Sequence, residues 1–519
     1  DLNNGFKRKE LCFRFPPEPN GYLHIGHVKA ITLNFELGKK YNAPVNLRFD
    51  DTNPVKENSH FVEEIKNNIK WLGYEWSKIC YASDYFEKLY EWAHYLILND
   101  KAYVDSQTSE QIATQKGTPT NPGTNSPYRN RPKEESARIF TEMREGKHEE
   151  GTHVLRAKIK MDSQNMLMRD PVMYRILFKD HHRTGSKWCI YPMYDWAHGE
   201  SDYIEKISHS LCTLEFKPHR DLYEWFLHQL PKENKILPKQ REFARLNMSY
   251  TIMSKRKLSY LIEKKIVSSW DDPRMPTISG MIKRGYPPNA LINFVKKAGI
   301  AKRENIIDVS LMEFYVREEL NKTCARVMVV TDEIKLVIIN YPEDKHEILE
   351  ATNNPEDESQ GKRKMIFSKY LYIEREDFRE TANRKFFRLT IGKEVRLKNA
   401  YIIKAENCIK NEKGEVIEVH CTYDPKSKSG SNSEESQRKV KGTIHWVDIN
   451  SSIDVNINEY ERLFFKEKPD ENDDLIKGVN KNSKKLIVGK SEQFVSSLQI
   501  GQKVQFQRKG YYIVDSNEG

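Results

Sequence analysis

The first eighty residues alternate solid apolar runs with helically spaced stripes. Leu11–Phe15 reads as a short buried strand, ended by Pro16 and Pro17, which cannot donate to a ladder. Within Tyr22–Tyr41, the positions Leu23, His27, Ala30, Ile31, Asn34, Phe35 and Leu37 recur at helical spacing. Val45–Phe49 is a second apolar strand, ending at Asp50-Asp51. Phe61, Ile65, Ile69 and Leu72 then mark one face of a helix over Glu57–Leu72. Strand–helix–strand–helix predicts a parallel sheet with right-handed crossovers. Ligands of such sheets sit at the carboxyl ends of the strands, where Pro16–Gly21 and Asp50 stand.

From about Tyr85 the pattern changes. Helical stretches flank a Thr/Asn/Pro/Gly segment, Gly117–Pro132, and strands follow around Val154–Ile159, which together read as an insertion. Sheet-like material is expected to resume at Trp188–Tyr191. Leu258–Arg303 reads as mostly helical, interrupted at Asp271–Arg274. Beyond about Thr323 short strands dominate, among them ARVMVVTD, IKLVIINY and GTIHWVD, and predict one or two β-barrels. Two low-complexity loops, Pro425–Lys439 and Lys468–Lys485, read as solvated. No internal repeat is visible.

At 519 residues and 61.1 kDa the chain is too long for one core. Lys and Arg exceed Asp and Glu by 85 − 75 = 10. Of that excess, 12 − 5 = 7 falls between Gly361 and Lys398, interleaved with Phe367, Tyr370, Tyr372, Phe378, Phe386 and Phe387. Basic residues among aromatics suit a surface that neutralises phosphates and stacks bases, and equally a β-rich module with solvated charges. The 7 cysteines are scattered, with no C-x-x-C pair, which disfavours disulfide scaffolds and zinc ribbons. No run reaches bilayer length and no signal-peptide core opens the chain, so a cytoplasmic protein is expected. The missing initiator Met reads as a trimmed or partial chain.

His24 and His27 fall at the start of the first helix, directly after a proline-rich loop. A helix N-terminus offers free N–H groups and positive dipole to an anion, and two imidazoles add donors on the same face. Alone, H-x-x-H is ordinary helix surface or half a metal site. Met253-Ser254-Lys255, far along the chain, could close over phosphates, with Lys255 as a point charge. Alone it also means little.

Together, PPEPNGYLHIGH and MSKR resemble the class I aminoacyl-tRNA synthetases. RFDDTNPVKEN, SPYRNR, MRDPVMYRI, KWCIYPMYD, SHSLCTLEF, WDDPRMPTISG, GKEVRLKNAYIIKAE and KVKGTIHWV place the resemblance in the glutamyl/glutaminyl subgroup, on its glutaminyl side. It covers essentially the whole chain. The fold it implies is multidomain. A Rossmann-like α/β catalytic domain (1–84 and 194–257) carries an α/β acceptor-stem insertion (85–193), followed by a helical subdomain (258–322) and two antiparallel anticodon-binding β-barrels (323–519).

The resemblance implies catalytic roles for His24, His27 and Lys255, steadying charge as the amino-acid carboxylate attacks the α-phosphate of ATP. It places Glu18, Pro19, Asn20, His24, Ile25, Gly26, His27 and Lys29 against ATP, with Thr213, Arg245, Leu246, Met253, Ser254 and Lys255. Ile252 and Arg256 stand where the family consensus has Lys and Ser, so Lys255 must carry most of that loop's charge. Mg²⁺ is expected to arrive on the phosphates, and no structural zinc is expected. Asp50 would bind the substrate ammonium, Arg14, Tyr194 and Gln240 would read the side chain, and His198, Cys212 and Phe216 would complete the pocket.

The partners implied are glutamine, ATP and glutamine tRNA, bound by a monomer without a membrane. The insertion would open the acceptor stem so that the terminal 2′-hydroxyl is acylated. The WDDPRMPTISG region would lie along the tRNA elbow. Arg326, Arg388, Arg396, Lys398, Gln505 and Arg508 would meet anticodon bases.

The nearest rival is a glutamyl or non-discriminating enzyme, whose relatives carry Arg where this chain has neutral Cys212. An unpaired substrate carboxylate there is penalised by several kcal/mol. Arg14 pulls the other way, as a cation near the pocket. Gly199-Glu200 departs from the glutaminyl pattern and puts an acid nearby. A non-catalytic tRNA-binding paralogue is disfavoured by intact His24, His27, Lys255 and Asp50. A small-molecule cytidylyltransferase fails on size and on the barrels.

Overall fold

The computed structural model describes residues 2, 6–55, 57–231, 236–471 and 474–516. Strands β1 (Phe13–Phe15), β2 (Val45–Phe49) and β3 (Ile79–Tyr81) pair in parallel in that order, with helix α1 (Ile25–Tyr41) and helix α2 (Ser59–Trp71) as the crossovers. Every residue of β1 and β2 is buried, as strands covered on both faces require. α1 starts later than the apolar spacing predicts because His24 holds extended backbone (φ −125°, ψ 176°) and caps it. The same effect at Asn58, whose side chain accepts the His60 N–H, shortens α2 at its start.

The chain then leaves this sheet. Helix α3 (Phe86–Leu98), β4 (Ala102–Asp105), α4 (Ser109–Gln115), α5 (Lys133–Arg144), β5 (Val154–Ala157), β6 (Val172–Ile176) and β7 (Ile190–Pro192) follow, and β4–β7 form an antiparallel sheet in sequence order. Trp188–Tyr191 therefore does not resume the parallel sheet. Ile190 pairs with Ile176 and Tyr191 with Arg175, at the edge of the inserted sheet. A short apolar run reads alike in both settings, which is why periodicity missed it. The parallel arrangement returns after α6 (Tyr194–Ile204), where β8 (His209–Thr213) is followed by α7 (Arg220–Gln229) and pairs with β9 (Lys239–Phe243). β8 docks beside β1 through Ser208, whose N–H donates to the Cys12 carbonyl and whose Oγ accepts the Cys12 N–H. The aromatic core of the insertion, with Phe140, Tyr174 and Trp188, continues unbroken into Trp196, Tyr203 and Phe226 of α6 and α7.

After β10 (Asn247–Met248), the stretch expected to be mostly helical is helical over about half its length. Helices α8 (Lys255–Glu263), α9 (Ile278–Lys283) and α10 (Pro288–Ala298) form, but 264–277 is a run of turns, not helix. Asp272 organises it, accepting from the Ser268 and Arg274 N–H groups and from the Arg274 guanidinium. β11 (Ile306–Ile307) pairs with β10, and α11 (Val309–Thr323) follows. Ile278, Met281, Leu291, Phe294 and Val309 share one core with α1 and α2.

The C-terminal third is β-rich. One 7-stranded sheet begins at Thr443–Ile444 and ends at Trp446–Asp448, so a single stretch around His445 stitches both edges into a nearly closed barrel. Its pairing is mixed, not purely antiparallel as expected: Glu333–Ile338 runs parallel to Val416–Tyr423, and Glu394–Leu397 parallel to Thr443–Ile444. Long excursions between these strands permit the parallel pairs. Two strand pairs, Glu347–Thr352 with Lys362–Phe367 and Phe378–Arg379 with Leu389–Thr390, stand beside this barrel, and the other strands form two 3-stranded sheets around a small core of Val327, Ile457, Val504 and Phe506. The two low-complexity loops are not simply solvated. Ser427 is buried and accepts the Ile402 N–H, while Leu475 and Val479 pack against Ile252 and Leu258.

Glu200, the acid that departs from the glutaminyl pattern, is fully buried on α6, and neither carboxylate oxygen has a hydrogen-bond partner among the described residues. Burial pushes its carboxyl well above the usual range, with Asp202 and Asp195 adding to the effect. A group raised in the folded state supports folding while protonated and loses that support as pH rises through its folded value. Glu200→Met is therefore expected to stabilise the protein by about 1–3 kcal/mol at pH 8, with a smaller gain at pH 5. Chemical denaturation at both pH values measures the difference.

Candidate active site

Two motifs more than two hundred residues apart meet at the N-terminus of α1. His24 caps the helix, and its Nδ1 accepts the Gly26 N–H at 3.1 Å. His27 Nδ1 accepts the His24 N–H at 3.0 Å, and the two ring centroids lie 4.0 Å apart. Each ring uses Nδ1 as an acceptor, so each neutral ring carries its proton on Nε2. Burial holds both rings neutral. It lowers His27 to about 4 and takes His24 well below its ordinary value, with His27 beside it adding to the shift. The helix end thus offers two neutral N–H donors together with its positive dipole.

The second motif lies over the first. Lys255, the first residue of α8, donates to Asn20 Oδ1 at 3.2 Å, and Asn20 donates in turn to Glu18. At Gly21 a Cβ would stand 2.6 Å from Lys255 Nζ, so a side chain there would push the lysine off this position. At Gly26 a Cβ would stand 2.8 Å from the His24 ring and 3.4 Å from Met253 Sδ. Ile252 replaces the consensus lysine for a visible reason: it is buried among Leu258, Leu463 and Phe464 and anchors the loop. Ser254 and Arg256 are exposed. Ile25 N–H donates to the Pro276 carbonyl and Ile278 N–H to the Leu23 carbonyl, so the PRMPTIS segment clamps the histidine motif directly.

The other expected nucleotide residues lie along the same sheet edge. Glu215 joins Thr213, whose hydroxyl donates to it at 3.4 Å, and Arg245, at 2.5 Å. Leu246 is buried in the core, and Lys29 donates to the Ala244 carbonyl at 2.7 Å, tying α1 to this segment. Pro19 and Ile25 are buried parts of the loop and helix start.

At the carboxyl ends of β1, β2 and β8 stands a small cleft lined by Tyr194, Asp195, His198, Cys212, Phe216, His219, Tyr223 and Gln240. Five of the seven residues expected to hold the amino acid therefore line one cleft. The other two, Arg14 and Asp50, form its floor through His198. Arg14 Nη2 donates to His198 Nε2 at 2.9 Å, and His198 Nδ1 lies 3.2 Å from Asp50 Oδ2. Arg48 Nη2 also lies 3.2 Å from Nδ1, so the imidazole is held between two guanidinium groups and the Asp50 carboxylate. Tyr194 stacks on His198 at 4.8 Å. Burial pushes the Cys212 thiol up to about 12, so it stays a neutral thiol.

Beneath the cleft lies a buried ionic cluster that the motifs did not announce. Asp202 Oδ1 accepts from Arg14 Nε at 3.0 Å and from Arg48 Nη1 at 2.6 Å, and Tyr223 donates to its Oδ2. Arg48 also donates to Asp50 at 2.9 Å. Arg14 and Arg48 hold Asp202, and Arg48 with His198 holds Asp50, below the usual carboxylate range against the burial that opposes it. Asp202 has no sequence signature, since an acid on a helix is usually solvated.

The sequence of residues 10–322 matches the family described as tRNA synthetases class I (E and Q), catalytic domain. Residues 324–424 and 443–515 match two anticodon-binding domains of the same group. The chain belongs to the class I glutamyl/glutaminyl tRNA synthetases. It is 52% identical over 98% of its length to a glutamine–tRNA ligase of Clostridium perfringens, covering 92% of that protein. A glutamine–tRNA ligase of Clostridium kluyveri is 49% identical over 99% of the chain and 92% of its own length. One of Rhodopirellula baltica is 51% identical over 97% of the chain and 84% of its own.

The synthetase's six expected anticodon residues fall into three groups. Arg326 and Gln505 are register partners on adjacent strands, with Arg326 paired to Glu356. Arg388 and Arg508 converge on buried Asp377, which Arg508 grips with both Nη atoms at 2.7 Å. Arg396 donates to the Ser427 and Ser436 carbonyls, and Lys398 is exposed two residues on.

His24 and His27 are expected to stay neutral in the folded synthetase well below pH 6. Ring ¹³Cε1 shifts of these two histidines should be flat from pH 8 to about pH 5. A midpoint near 6.5 for either ring would contradict the burial argument. Since both values are depressed by folding, their contribution to stability is complete above 6.5 and is lost as pH falls towards 4.

Proposed function

We propose that this synthetase joins glutamine to ATP as glutaminyl-adenylate and transfers it to the 3′-terminal adenosine of glutamine tRNA. The observation that carries the choice of amino acid is Gln240. Its amide nitrogen donates to the Phe216 carbonyl at 2.8 Å and to Glu242 at 2.9 Å. Both partners are acceptors, which fixes the amide's orientation and leaves its carbonyl oxygen to meet a ligand. That oxygen can accept an N–H from a carboxamide and repels a carboxylate.

Arg14 does not counter this. Four of its five N–H groups go to Asp202, the Leu211 carbonyl, His198 and Ser210. Its charge is balanced within the protein, and Cys212 adds none. Asp50, at the cleft floor, is the anion suited to the substrate ammonium, whereas Asp195, which also lines the cleft, is paired with His219.

At the nucleotide end, the Nε2–H groups of His24 and His27 would stabilise charge growing on the α-phosphate oxygens without themselves changing protonation. Lys255 would neutralise the outer phosphates from the opposite helix end. The groups gathered here fit a triphosphate that carries its own Mg²⁺, whose chemistry is to screen the phosphates; Asp50 and Asp202 lie at the other end of the site.

The antiparallel inserted sheet is read as the acceptor-stem module, and the two C-terminal β-modules as barrels that grip the anticodon loop. The enzyme is read as a cytoplasmic monomer.

Charging of glutamine tRNA transcript with labelled glutamine or glutamate tests the reading. Glutamine is expected to exceed glutamate in kcat/KM by about 10⁴ or more, and comparable values would sink it. Cys212→Arg should lower glutamine kcat/KM at least about tenfold and raise that for glutamate. Lys255→Ala should cost about 10²–10³ in the rate of adenylate formation, read by pyrophosphate exchange.

A further inference from the structure

Among the described residues, Asp51, His181 and His182 bring potential metal-ligating atoms together outside the described site, with Glu57 beside them. Their ligand-type atoms lie within 4.8 Å of one another, and Glu57 Oε2 is buried without a hydrogen-bond partner, 3.5 Å from His181 Nε2. The donor set resembles a divalent-metal site, but the protons argue otherwise. His181 Nδ1 accepts the backbone N–H groups of Arg183 and Thr184, so its own proton sits on Nε2. That Nε2–H points at the Asp51 carbonyl, 2.8 Å away, where a metal would need a bare nitrogen.

The same groups make a mechanical connection. Residues 181–185 form a tight turn, His181 and Gly185 exchanging backbone hydrogen bonds, in the inserted domain just before β7. The turn reaches across to the ends of β2 and β3 at three points. His181 holds the Asp51 carbonyl, His182 Nε2 lies 3.2 Å from Asp51 Oδ2, and Arg183 donates to Ser83 and Asp84 while stacking on Tyr81 at 3.7 Å. Ser83 closes the ring, donating to Asp51 through both its N–H and its hydroxyl. Asp51 follows Asp50 directly, so a shift of the Asp51 backbone carries the Asp50 backbone with it.

We propose that His181 and His182 are positioning residues for amino-acid binding: the inserted domain, through this turn, fixes the Asp50–Asp51 corner and so the direction in which Asp50 presents its carboxylate. The proposal rests on the reading of Asp50 as the ammonium site. It makes the insertion part of the amino-acid pocket as well as a module for RNA, although neither histidine lines that pocket.

His182 is the residue to change, because it is partly exposed whereas His181 is fully buried. The assay is pyrophosphate exchange with the full chain and tRNA transcript. His182→Ala is expected to raise the KM for glutamine about tenfold, the scale of a displaced binding group, with the KM values for ATP and tRNA within twofold. His182→Gln, whose amide can donate to Asp51 as Nε2–H does, should recover most of the loss. An unchanged glutamine KM, equal deficits in both variants, or a parallel rise in all three KM values would overturn the proposal. Asp50→Asn run alongside separates the two ideas. If it raises the glutamine KM while His182→Ala does not, only the positioning role falls; if it leaves the KM unchanged, the ammonium reading falls and the proposal with it.

Discussion

The contact on which the catalytic half depends is the pair of buried arginines around Asp202. Arg14 comes from β1, Arg48 from β2 and Asp202 from α6, and all three side chains are fully buried. Ions taken out of water are tolerated only when paired and fully hydrogen-bonded, and removing one partner of such a pair typically costs about 3–5 kcal/mol. That penalty makes the geometry stiff. It sets the angle between the first strand pair and α6, and through Arg48 it fixes Asp50, while through Arg14 it fixes His198. The cleft floor is therefore positioned by electrostatics as well as by packing.

The end proposed for the nucleotide is built on the opposite principle. Nothing there is paired so deeply. His24 and His27 are neutral donors whose orientation comes from backbone hydrogen bonds, and the cationic character comes from helix ends and from Lys255, which is exposed and rests on Asn20. A site for a polyanion benefits from charge that can move onto the ligand, whereas a site for a small zwitterion benefits from charge that cannot move at all. One sheet edge carries both, because β1 supplies Arg14 to one end and the loop after it supplies the histidines to the other.

Much of this was legible in the sequence, for reasons particular to each element. The strand–helix alternation up to Trp71 was readable because the strands are solid apolar runs and α2 has a clean stripe. The histidine pair was readable because its three-residue spacing after the prolines has a local meaning. Asp202 was not, since its partners lie 154 and 188 positions away and nothing local distinguishes it from a solvated helix acid. PRMPTIS was assigned to the tRNA elbow on resemblance, yet its backbone also pairs with the histidine motif, a contact that carries no side-chain signature. The Pro425–Lys439 loop looked solvated because serine and lysine dominate it. It folds onto the barrel because buried Ser427 can satisfy backbone groups that an apolar residue could not.

The same logic bears on why a cation so near the pocket need not recruit an acidic substrate. For Arg14 to grip a glutamate side chain with two N–H groups, four of its five being engaged, it would have to turn away from Asp202, Ser210 or the Leu211 carbonyl. Each is buried or partly buried, and Asp202 would be left with Arg48 alone to balance it while Tyr223 still donates to its other oxygen. The gain from one new ion pair would be set against the loss of an existing one of similar burial, with the desolvation of the incoming carboxylate added. The exchange is uphill. A neutral carboxamide asks for none of it, since it needs only an acceptor such as the Gln240 carbonyl and leaves the floor intact. On the proposed reading, discrimination against the charged analogue would follow from a network whose charges are already paired, even though Arg14 stands within one histidine of the cleft.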